Sequence, residues 1–122
     1  MAGKDMQDFR NLQVWQKAHE LVLVVYDLTQ DFPKEELFGL RHSLRRTCVD
    51  IPAYIAEGSG KASDSEFSRC IGSALGLANR LEYFVLLAFD LKLLSEPSNT
   101  KLSQSIVELK KRLNAFNRSL RT

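Results

Sequence analysis

Apolar residues recur along the chain at alternating steps of four and three, the period of helices that bury one face against other helices. A first run, Val14, Ala18, Leu21, Val25 and Leu28, closes at the breaker Asp31-Phe32-Pro33. A second, Leu40, Leu44, Thr47, Ile51 and Ile55, closes at Gly58-Ser59-Gly60, where a glycine is expected in the left-handed conformation just past a helix end. The third is the longest and most regular: Phe67, Ile71, Ala74, Ala78, Leu81, Val85 and Ala88. Ser63-Asp64-Ser65-Glu66 before it has the spacing of a capping box, with Ser63 as N-cap. A fourth run, Leu102, Ile106, Leu109, Leu113, Phe116 and Leu120, follows Pro97-Ser98-Asn99. Four such segments, short connections and no strand alternation predict an all-α protein, an up-down-up-down antiparallel four-helix bundle over residues 11–122 behind a flexible N-terminal arm over 1–10.

Two features depart from the simplest bundle. Pro52 lies inside the second run, where it removes a backbone hydrogen bond and crowds the carbonyl four residues back, so a kink near Cys48 is expected. The apolar faces are also wide. With Ile71 and Ala74 as heptad positions a and d, the g positions are Cys70, Leu77, Phe84 and Leu91, all apolar, and Trp15 and Val22 lie seven apart beside the first seam. Such flanks in an isolated bundle are usually charged. Either these residues thicken the core of one chain, or a second copy covers them. The reading adopted is the second, a ring-shaped homo-oligomer with Trp15, Val22, Cys70, Leu77, Phe84 and Leu91 in the interface.

Composition narrows the setting. At 122 residues, 44% hydrophobic and 26% charged, the chain makes one ordinary globular domain. No apolar run reaches the ~20 residues that span a bilayer, and Met1 to Arg10 carries no apolar signal region, so a cytoplasmic protein without a membrane partner is expected. In that compartment Cys48 and Cys70 are expected as free thiols. The net charge of +2 conceals an asymmetry: residues 101–122 carry six cations against one anion, a net +5, and the first hundred carry 11 against 14, a net −3. On a helical wheel Lys110, Lys111, Arg118 and Arg121 fall within an arc of roughly 100° opposite the fourth seam. Arg41, Arg45 and Arg46 form a second cluster on the second helix. Each cluster alone fits a solvated face, and the two pooled over an oligomer fit a polyanion. Few aromatics neighbour these cations in the sequence, so base stacking is not expected.

Candidate chemistry elsewhere is thin. Gly58-Ser59-Gly60-Lys61 lacks the first glycine, the hydroxyl and the preceding strand of a phosphate-binding loop, leaving at most one phosphate at the start of the third helix beside Lys61. His19 and His42 have no Cys or His at ligand spacing and no Glu three residues before them, so neither a metal nor any other cofactor is expected. Both cysteines read as small core residues, and Glu35-Glu36 as charge serving the start of the second helix. Asn117-Arg118-Ser119 matches a glycosylation sequon that has no meaning without secretion. No catalytic constellation emerges, and the chain is not expected to be an enzyme.

Phe9-Arg-Asn-Leu12-Gln-Val-Trp15-Gln-Lys-Ala18, Phe32-Pro33, Glu36-Leu-Phe-Gly-Leu40, Leu44-Arg-Arg46 and Ile51-Pro52-Ala53-Tyr54-Ile55-Ala56-Glu57-Gly58 together resemble the four-helix bundle family of 23S rRNA intervening-sequence proteins. The resemblance runs from Phe9 to about Leu94; the fourth helix agrees in pattern only. It implies a bacterial bundle that forms homopentameric rings, related to the accessory protein of diversity-generating retroelements, which partners a reverse transcriptase and presents a basic nucleic-acid-binding surface. It implies no enzymatic activity. Asp50 and Tyr54 stand where the family commonly has Ser and Asn, and Gly76-Leu77-Ala78-Asn79-Arg80 where it commonly has Gly-Ser-Leu-x-Glu. Two functions follow as expectations: a non-enzymatic homo-oligomer binding RNA or DNA through pooled basic surfaces, or an interaction scaffold for a polymerase-type protein.

Overall fold

The computed structural model describes residues 8–36 and 38–121. Four helices account for most of them: α1 (Gln13–Leu28), α2 (Leu40–Ser59), α3 (Asp64–Asp90) and α4 (Glu96–Leu120), with 3-10 turns at Phe9–Asn11 and Lys34–Glu36. Among the described residues there is no strand. Residues 1–7 of the expected arm lie outside the described residues. Its last part is structured: Asp8 caps the Phe9–Asn11 turn and the Phe9 ring meets Trp15 edge-on at 5.0 Å.

Local chemistry sets the helix ends. The Ser63 hydroxyl accepts from Glu66 N–H at 3.2 Å and donates to the Glu66 carboxylate at 3.2 Å, so Ser63 is the N-cap as expected, with the carboxylate turned to its hydroxyl. Gly39 precedes α2 and has no side chain to cap it; Glu36 Oε1 accepts from Leu40 N–H at 2.9 Å instead, the role expected of the Glu35-Glu36 pair. α4 begins at Glu96, well before the first residue of its apolar run at Leu102, because Ser95 is the cap and Pro97 sits in the first turn, where its missing N–H costs no bond. Pro52 stays inside α2, which runs unbroken from Leu40 to Ser59.

The seam positions meet in one core. Val14, Ala18, Leu21 and Val25 of α1, Leu40, Leu44, Thr47, Ile51 and Ile55 of α2, Phe67 through Ala88 of the α3 run, and Leu102, Ile106, Leu109 and Leu113 of α4 are all buried. Cyclic contact closes the core: α1 packs on α2, α2 on α3, α3 on α4 and α4 on α1, and the diagonal pairs make no close backbone approach. By length and composition α3 could cross a bilayer, yet here its apolar seam is one wall of this core.

The expected role of the Gly58-Ser59-Gly60 glycines changes. Gly60 lies at φ −91°, outside the left-handed region; the left-handed residue is Lys92, φ 63°, after α3. There Leu93 N–H donates to the Ala88 carbonyl and Lys92 N–H to the Phe89 carbonyl, both at 2.9 Å, a Schellman stop that turns the chain so that Leu94 is buried. Gly58 matters for space. A Cβ there would lie 2.6 Å from Phe67 Cδ1 and 2.9 Å from Cys70 Cβ, so its lack of a side chain lets α2 and α3 close together.

Candidate nucleic-acid interface

The first turns of α2 face the end of α1 across an open groove of about 570 Å³, lined by Tyr26, Phe38, Arg41, His42, Arg45, Arg46, Val49 and Asp50. Arg45 is fixed in it. Its Nε donates to Thr29 Oγ1 at 2.9 Å, its Nη2 to the Tyr26 carbonyl at 3.0 Å, and its guanidinium lies 4.3 Å from the Tyr26 ring centroid. Thr29 is buried and uses its own hydroxyl proton on the Val25 carbonyl at 2.7 Å, which leaves its oxygen to accept from Arg45. Burial, then the neighbouring Arg41 charge, pull the Arg45 guanidinium below its usual range; Tyr26 opposes them. Arg41 and Arg46 have no ion-pair partner among the described residues, and Arg41 Nε is buried without an acceptor.

Base stacking was not expected from the sequence, and the fold changes that premise. It brings Tyr26 from α1 and Phe38 from the connection beside the three arginines, with Phe38 87% exposed. A smaller hollow of about 260 Å³ continues over α2 to α3, where His42, Arg46 and Asp50 meet Leu77, Arg80 and Phe84. Arg80 therefore joins the basic cluster of α2. Its signal in the sequence was its place three residues after Leu77 and four before Phe84, on one side of the helix.

The C-terminal stripe is divided. Lys110 Nζ is paired to Glu82 of α3 at 2.8 Å; Arg112, outside the stripe, is paired to Glu108 at 3.4 Å. Lys111, Arg118 and Arg121 are exposed without ion pairs among the described residues. α2 and α4 are not neighbours in the bundle, so the two basic clusters of one chain lie on separate helices with no close backbone approach.

One chain covers the expected interface strip only in part. Cys70 is only 6% exposed, because α2 approaches it at Gly58, and has little surface left for a partner. Trp15 is half-buried, met by Phe9 and stacked on His19 at 4.8 Å. Val22, Leu77 and Phe84 are half-buried against the core, and only Leu91 stands open, at 54%. The open apolar surface of α3 lies further round the helix, at Tyr83 and Leu86, both more than half exposed. Periodicity missed these two because they sit on the face assigned to water.

Other candidates resolve quietly. Burial pushes the Cys48 thiol up from 9.0 to about 12 and raises that of Cys70, so both are inert near neutrality. Ser63 already fills the start of α3 and Lys61 approaches Glu57 at 3.9 Å, leaving the single-phosphate idea without support. Asn117 accepts from the Ser68 hydroxyl at 2.6 Å and so ties α4 to α3. Among the described residues no three His, Cys, Asp or Glu side chains converge on a metal position.

The 23S rRNA-intervening sequence protein family matches residues 10–115. The fold is similar to the crystal structure of a protein of unknown function from the S23 ribosomal protein family of Bacteroides thetaiotaomicron VPI-5482. The TM-score is 0.77 at 20% identity, over 85% of this chain and 97% of that one. No curated protein matches the chain.

Proposed function

The chain belongs to the 23S rRNA-intervening sequence protein family, and from that premise we propose that it is a non-enzymatic, cytoplasmic homo-oligomer that binds nucleic acid through basic surfaces pooled from several copies. The observation that carries this reading is the groove at α1 and α2, where, among the described residues, Arg41 and Arg46 have no ion-pair partner beside an immobilised Arg45. Unpaired guanidinium groups held at one place are phosphate contacts in waiting.

The pairs Arg45 with Tyr26, Gly58 with Phe67, Ser68 with Asn117 and Gln13 with Arg112 join starts of helices to ends of their neighbours, which supports the up-down-up-down antiparallel bundle. Self-association is supported by Tyr83, Leu86 and Leu91, large apolar residues left open along α3 and at its C-cap. A ring, five-fold by the resemblance noted above, would gather the separate clusters of single chains into one field.

The test is binding of a labelled nucleic acid over a range of salt. Affinity falls steeply with salt, and replacing Lys110, Lys111, Arg118 and Arg121, or Arg41 and Arg46, by Gln flattens the slope. No binding at low salt, or a slope indifferent to both sets, overturns the reading. A tight complex with a polymerase-type protein that survives nuclease favours the scaffold role.

A further inference from the structure

We propose that the groove between the end of α1 and the start of α2 is a site for single-stranded nucleic acid, with a base stacked on Phe38 and its phosphate on Arg41 and Arg46. This rests on the nucleic-acid reading above and specifies the form of its ligand.

Phe38 carries the proposal. Its ring is the most exposed large apolar side chain among the described residues, at 87%, and stands in the connection just before α2, in the same groove as three arginines. A flat π face beside cations matches the two parts of a nucleotide: the base gains stacking and the phosphate gains charge-assisted hydrogen bonds. Tyr26 stiffens the floor, because the Arg45 guanidinium lies on its ring and the same arginine is bonded to the end of α1. Mutual repulsion between Arg41 and Arg45, visible in the lowered pKa of Arg45, is relieved by an anion.

Size and geometry disfavour a duplex. A groove of about 570 Å³ holds one or two nucleotides, and paired bases, stacked on one another, offer no free face to Phe38. Asp50 lines the groove as well and repels phosphate, which places the phosphate contact toward Arg41.

The experiment uses the full chain and fluorescence anisotropy with labelled single strands of RNA and DNA, about a dozen nucleotides long, and with the same sequences as duplexes. The single strands bind more tightly than the duplexes. Phe38→Ala weakens single-strand binding about five-fold or more and leaves duplex binding unchanged, and Phe38→Trp restores it. Asp50→Asn tightens single-strand binding. Equal affinity for both forms, or a Phe38→Ala variant that changes neither or both alike, overturns the proposal. If nucleic acid binds with steep salt dependence in those same tests, the general reading survives alone; if no probe binds at low salt, both fall.

Discussion

Gly58 is the residue at which packing is least forgiving. Phe67 and Cys70 crowd the space a Cβ would occupy, and both belong to the buried start of α3, where nothing flexible can yield. Gly58→Ala is expected to cost about 1–3 kcal/mol, by forcing the helices apart, and urea denaturation measures it. Cys48 gives a second prediction at this scale. Its thiol titrates near 12 in the fold against 9.0 in the open chain. Below pH 9.0 both states hold the proton, so Cys48 adds no pH dependence. As pH rises from 9.0 toward 12 the unfolded state loses the proton first, and the fold loses stability at the rate of one proton. The stability difference between the native chain and Cys48→Ala is therefore expected to shrink across that window; a constant difference contradicts it.

At the scale of elements, the four apolar runs state which faces pack, and every a and d residue of the α3 run is buried as its spacing requires. The Ser63 box was legible because its chemistry is local. The stop of α3 was not. No glycine marks it, and Lys92 takes the left-handed conformation because Leu93 and Leu94 are drawn to the core, a tertiary cause no local pattern records. Lys92→Gly is expected to stabilise the fold by about 0.5–1 kcal/mol, since it relieves the Cβ strain of a left-handed residue at some entropic cost. A rise of a few degrees in Tm is the observable; a fall means the turn is held by the lysine itself. The basic groove was half legible. Arg41, Arg45 and Arg46 are neighbours in sequence, but Tyr26 comes from another helix and Phe38 from a connection, so the aromatic part depends on how α1 meets α2.

For the whole molecule the decisive fact is what one chain leaves uncovered. The strip beside the α3 seam was expected to be open along its length; Gly58 closes it at Cys70, the core takes much of Leu77 and Phe84, and the open apolar surface on this side is at Tyr83, Leu86 and Leu91, along and just past α3. Spacing alone could not separate these cases, because a flank looks the same whether its neighbour helix or a second copy lies against it. The two basic clusters sit on helices that are not neighbours in the bundle, so the reading that pools them into one field rests on association. Association therefore stands before the nucleic-acid reading in the chain of cause.

Solution mass by light scattering at micromolar protein, with nucleic acid removed, is the most direct test of that association. A mass that is a multiple of 13.9 kDa, reduced to one chain by Leu86→Glu together with Leu91→Glu, is the predicted result. A native chain that scatters as a single 13.9 kDa particle contradicts the account.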